Sequence, residues 1–142
     1  MSATQARIEA VPTQLVLGGD AGRRLDVLHG LLARRVAGEP WAVLRAATSF
    51  SAGAVTSAAP GLVVAVAPAS CPCCTGQLAF RVALNRLLRS ARPQRLLVEL
   101  GHHRHDATAL EALAGSAYQG VLRLDQIIDL DAGTQGAGAP GQ

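Results

Sequence analysis

The sequence contains no lysine: all 13 of its basic residues are arginine. That absence excludes a Schiff-base lysine, a lysine nucleophile and the lysine that reaches the β- and γ-phosphates in the usual phosphate-binding loop. Aromatic residues are almost as scarce, Phe50, Phe80, Trp41 and Tyr118 being the whole set. With so few rings to stack on bases and a net charge of only +3, no nucleic-acid partner is expected. No apolar run approaches the roughly 18 residues of a membrane span, because Pro60 and Pro68 bracket the most hydrophobic stretch. The amino terminus, with Ser2, Thr4, Gln5 and Glu9, lacks the basic-then-apolar order of a signal peptide. A cytoplasmic chain with no membrane contact is the expectation. Its three cysteines, Cys71, Cys73 and Cys74, fall within four residues, which rules out a cross-chain disulfide framework and points to free thiolates.

What is present is apolar material for a core: 49% hydrophobic residues in a chain of 142, enough for one domain. Thr13 to Leu17 reads as a buried strand. A glycine-rich turn, Gly18-Gly19-Asp20-Ala21-Gly22, leads from it into a helix over about Arg23 to Val36. Trp41 to Ala46 is a second strand, and Ala47 to Gly61 a long irregular connection. Leu62 to Ala67 has the continuous apolar character of a strand buried on both faces of a parallel sheet. A helix follows over about Gln77 to Ser90, with Leu78, Val82, Leu84, Leu87 and Leu88 as its apolar face. Arg95 to Leu100 is a further strand, Thr108-x-x-Glu111 opens a short helix, and a last strand falls within Val121 to Leu130. Alternation of this kind predicts an α/β domain with a mostly parallel sheet. It is expected over residues 13–131, after an extension of residues 1–12 and before a disordered Gly/Ala/Gln-rich tail, residues 132–142.

In parallel sheets ligands bind at the carboxyl ends of strands, and three segments follow such ends. The first, Gly18 to Leu25, sits where a phosphate loop would sit, with Gly18, Gly19 and Gly22 to wrap phosphate and Arg23 in the place of the lysine. Arg24 and Leu25 offer no hydroxyl for magnesium, and Asp20 would repel a triphosphate, so a plain strand-to-helix turn competes with the phosphate reading. In the second, Cys71-Pro72-Cys73-Cys74, three soft thiolates can supply most of a tetrahedral shell for zinc, and His102, His103 or His105 could complete it. Two alternatives stay open: a redox pair of Cys71 and Cys74, and inert buried cysteines. In the third, Glu99 ends an apolar strand, where a nucleotide hydrolase keeps its magnesium-water ligand and where an ordinary arginine partner is equally at home.

The order of these segments resembles the CobW family of P-loop GTPases, which are implicated in metal delivery. Ser70-Cys71-Pro72-Cys73-Cys74-Thr75 is similar to the family's cysteine motif, and Arg92-Pro-Gln-Arg-Leu-Leu-Val-Glu99 to its magnesium-site strand. Leu124-Asp-Gln-Ile-Ile-Asp-Leu-Asp131 resembles the strand after that. The resemblance covers roughly Gln14 to Ala132. It implies a three-layer P-loop NTPase-like domain, with a mostly parallel sheet flanked by helices. It also implies a metal site at Cys71, Cys73 and Cys74 with His102 or His103. Zinc is the expected ion and cobalt the alternative; the partners implied are a client metalloprotein or a second copy sharing the ion.

The phosphate loop departs from the family at Arg23 and Arg24, and the sequence ends before an Asn-Lys-x-Asp guanine-recognition segment. A degenerate, truncated member acting in metal delivery or as a pseudo-GTPase module is therefore expected. Weak GTP and Mg2+ binding at Gly18, Gly19, Gly22, Arg23, Arg24 and Glu99 is the enzymatic alternative.

Overall fold

The computed structural model describes residues 10–47, 55–68, 77–100, 113–115 and 118–131. Among them the elements run β1 (Val11–Leu17), α1 (Ala21–Leu32), β2 (Trp41–Ala47), β3 (Val55–Ala59), β4 (Leu62–Pro68), α2 (Gln77–Ala91), β5 (Arg95–Leu100) and β6 (Leu122–Asp129). The strands form one six-stranded sheet in the order β3-β4-β2-β5-β1-β6. All neighbours are parallel except β3, which runs antiparallel to β4. The expected α/β class with a mostly parallel sheet is what the described residues form. No helix among them is long and apolar enough to cross a membrane.

Period-two alternation along the central strands divides the core in two. Leu15, Leu17, Ala42, Leu44, Leu96 and Val98 meet Phe80, Leu84 and Leu87 of α2. Val16, Trp41, Val43 and Leu97 meet Leu28 and Leu31 of α1 on the opposite face. Strands covered on both sides cannot show the apolar/polar alternation of a half-exposed sheet, which is why β4 and β5 read as near-continuous apolar runs.

Several boundaries differ from the sequence reading. Strand β1 starts at Val11 rather than Thr13. Helix α1 begins two residues before Arg23 because the Asp20 carboxylate caps it, accepting the Arg23 N–H at 2.8 Å. It stops at Leu32 rather than Val36, and the chain beyond is held by other bonds: Arg35 donates to the Glu39 and Pro60 carbonyls, and the Glu39 carboxylate accepts the Val36 N–H. The stretch expected to be wholly irregular contains β3, which turns back on β4 through Pro60-Gly61. Val82 is 46% exposed, whereas Phe80 is buried. Phe80, Leu84, Leu87 and Ala91 share one stripe at helical spacing, and Val82 falls on the far side of it. The short helix expected from Thr108 and the tail from Ala132 lie outside the described residues, save residues 113–115.

One side-chain bond ties the turn before β6 to α2: the buried Tyr118 hydroxyl donates to Asn85 Oδ1 at 3.0 Å. Burial raises the Tyr118 pKa above the ordinary phenol value, and the Arg81 charge opposes the shift. A raised folded pKa means that the unfolded chain ionises first as pH rises. The stability due to the neutral phenol is thus intact below about pH 10 and lost as pH climbs through the folded pKa. Tyr118→Phe is expected to flatten this alkaline decline while costing about 1 kcal/mol at neutral pH for the lost hydrogen bond. Urea unfolding across pH 8–11 checks both, and the single tyrosine lets phenolate absorbance report the ionisation directly.

Candidate functional site

Parallel register places Leu17 beside Leu100 and Asp129, and Arg45 beside Glu99, so the carboxyl ends of β1, β2, β5 and β6 form one edge. Pro68, at the end of β4, pairs with Ala47 at this same edge. Of the expected site residues, Gly18, Gly19, Arg24 and Glu99 are brought together here. Gly22 and Arg23 lie in the exposed first turn of α1.

The centre of the cluster is Glu99, whose side chain is only 3% exposed. Arg24 donates from Nε to Glu99 Oε2 at 3.0 Å, and Arg45 donates from Nε to Oε1 at 2.6 Å. The same Arg24 guanidinium donates from Nη1 to the carbonyls of Gly18, at 2.9 Å, and Gly19, at 2.8 Å. On the other side of the turn the Gly19 N–H donates to Asp131 Oδ1 at 3.1 Å, and the Asp131 N–H donates to Asp129 Oδ1 at 3.0 Å. A buried carboxylate requires partners, and these guanidiniums meet that need with charge-assisted bonds.

A phosphate cradle works by the reverse arrangement, with backbone N–H groups aimed inward and a cationic side chain free to reach the anion. In this turn two carbonyls face the guanidinium, the Gly19 N–H is engaged by Asp131, and the Asp20 carboxylate sits on the amino end of α1 where an anion would sit. Both Glu99 oxygens are taken up by guanidiniums, Oε2 by Arg24 and Oε1 by Arg45, which leaves neither free to hold a dication or its water. These side chains do not fit a magnesium-bound triphosphate, and they do fit a turn fastened to the sheet edge by its own charges.

Arg45, Asp20, Asp129 and Asp131 were not singled out as members of this cluster by the sequence. For Arg45 a signal existed: it is the one charge in the apolar run Trp-Ala-Val-Leu-Arg-Ala, and a charge there requires a counter-ion. Cys71, Cys73, Cys74, His102 and His103 lie outside the described residues. Among the described residues no group of three or more His, Cys, Asp or Glu side chains could hold a metal ion.

Comparison with known proteins agrees with the metal theme of the cysteine motif. The chain is 33% identical over 111 residues, 75% of its own length, to the zinc chaperone YeiR of Escherichia coli (strain K12). It spans 33% of that protein's length. No protein-family model matches the chain, and no solved structure does.

Proposed function

We propose that this chain is a CobW-like, P-loop-derived domain that handles zinc and whose nucleotide loop is closed on its own side chains. Its partners are the metal ion and a client metalloprotein, or a second copy of the chain sharing the ion, in the cytoplasm. Similarity to a zinc chaperone supports the metal half of this reading. The observation that carries the other half is the bridge that Arg24 makes between the Gly18 and Gly19 carbonyls and Glu99.

Three thiolates, from Cys71, Cys73 and Cys74, match the soft-ligand preference of zinc, and His102 or His103 completes a tetrahedral set. Cobalt suits the same set less well, because thiolate-rich tetrahedral sites are the usual home of zinc. Zinc here is cargo, so the chain needs a site that loads and releases.

Zinc content of the freshly purified protein tests the metal half. Zinc at one ion per chain, or one per two chains where a dimer shares it, is the expected result. Cys73→Ser is expected to weaken zinc affinity by more than the roughly 10–100-fold that even an outer-shell partner is worth. Unchanged affinity in that variant overturns the site. Isothermal titration with GTP and magnesium tests the other half: no heat is expected up to near-millimolar nucleotide, and saturable binding overturns the closed-loop reading.

A further inference from the structure

At the opposite edge of the sheet, where the strands begin, a cavity of about 300 Å³ opens between the segment after α1 and the amino ends of β2 and β5. It lies at the far end of the strands from Glu99 and uses none of the residues discussed above as ligands for metal or nucleotide. Its lining is mostly polar, from Arg34, Arg95, Glu39, Gln14 and Gln94, with a smaller apolar part from Val36 and the edges of the buried Leu31 and Trp41.

We infer that this cavity is a binding site for a small organic monocarboxylate. The first argument is the preparation of Arg95. Its guanidinium lies over the Trp41 ring, 5.4 Å from the centroid, and donates from Nη1 to Gln14 Oε1 at 3.3 Å. Gln14 is itself buried at 7% exposure and is fixed from its other end, donating from Nε2 to Gln126 Oε1 at 2.6 Å. Arg95 is therefore held in place by a ring and a buried carboxamide, while its remaining N–H groups have no hydrogen-bond partner among the described residues. A guanidinium carries five N–H donors in a fixed fork that matches a carboxylate.

Charge selects the class of anion. Arg34 and Arg95 supply two positive charges and Glu39 one negative charge; Asp125, which also feels the Arg95 charge, is neutralised by its ion pair with Arg123, leaving a single positive charge for a ligand to balance. The Glu39 carboxylate is occupied with the Val36 N–H, at 3.1 Å, and stays in place. A monocarboxylate neutralises the remainder, whereas a phosphate dianion would bring an excess negative charge beside Glu39. The volume, at the small end for ligand sites, suits a compact body with one edge against Val36.

The chain has a single tryptophan, so the indole N–H signal of Trp41 in a proton–nitrogen NMR spectrum reports this cavity alone. Titration of the full chain with benzoate is expected to shift that signal saturably, and neutral benzamide and inorganic phosphate are expected to leave it in place. Arg95→Gln should weaken benzoate binding about tenfold or more, the value of a lost charge-assisted hydrogen bond. Arg34→Gln, at an exposed side chain with no hydrogen-bond partner among the described residues, keeps the fold intact and should weaken binding severalfold. If Arg95→Gln does not fold, Arg34→Gln alone decides, and undiminished affinity in it overturns the site. The inference also fails if benzoate gives no saturable shift, or if benzamide or phosphate shifts the signal as strongly as benzoate.

Discussion

Replacing Glu99 with glutamine is expected to destabilise the fold by about 3 kcal/mol, the low end of the cost of breaking a buried ion pair. The carboxylate has each oxygen committed to a different guanidinium, Oε2 to Arg24 and Oε1 to Arg45. A carboxamide can still accept from one of them, but it turns an NH2 group toward the other, so a donor faces a donor. Which arginine suffers decides the magnitude. Arg45 is 38% exposed and can swing its charge into water, while Arg24 is 11% exposed and pinned between two loop carbonyls. The amide oxygen therefore stays with Arg24, and Arg45 is released, which holds the loss to the lower end of the range. Arg45→Gln, by contrast, is expected to cost about 1 kcal/mol, since a half-solvated partner contributes little more than a surface pair. Urea unfolding at neutral pH should show the midpoint of Glu99→Gln shifted with an unchanged slope. A loss below about 1 kcal/mol would mean that the turn is not fastened through this carboxylate. Adding Arg24→Met to Glu99→Gln should cost less than the sum of the two single changes, because both weaken the same Arg24–Glu99 bond, which the double variant loses only once.

Phase along α1 explains why this fastening was only partly legible in the sequence. Counting loop positions assigned the cationic role to Arg23, but helix geometry assigns the inward position to its neighbour. Arg24, Leu28 and Leu31 stand at i, i+4 and i+7, so Arg24 shares the buried stripe and Arg23 faces solvent. That phase becomes readable once Asp20 is taken as the cap of α1 and not only as a charge that would repel phosphate. The central strands were legible because a strand buried on both faces must be apolar throughout, and β5 matched its expected bounds, Arg95–Leu100. Strand β3, Val-Thr-Ser-Ala-Ala, offers no such run and is defined by its pairing, although the Pro60-Gly61 turn signal was in view. Arg45 meets Glu99 only because β2 lies next to β5, a fact of strand order that no local pattern contains. Asp131 meets Gly19 across 112 positions of sequence through the pairing of β1 with β6, and is equally invisible to motif counting.

The same turn makes a second demand, and Gly18→Ala is expected to cost about 3 kcal/mol. Gly18 has a φ of +77°, in the left-handed region, where a side chain costs roughly 1–2 kcal/mol. Space adds to this: a Cβ at Gly18 would stand 3.0 Å from Asp131 Cγ and 3.1 Å from Asp129 Oδ1, so the Asp131 carboxylate must move away. Moving it breaks the bond that the Gly19 N–H makes to Asp131 Oδ1, worth about 1 kcal/mol or more. The close approach of backbone and carboxylate, rather than any ligand, is thus sufficient reason for glycine at this position. Gly30 is the control that carries neither contribution, since it lies within α1, has no positive φ and has nothing within 4 Å of a built Cβ. Gly30→Ala is accordingly expected to stabilise the chain by about 0.5–1 kcal/mol, through helix propensity alone. Thermal or urea unfolding of both variants against the parent gives shifts of opposite sign if the turn is packed as described. A Gly18→Ala loss no larger than about 1 kcal/mol would show that Asp131 yields without cost and does not hold the loop shut.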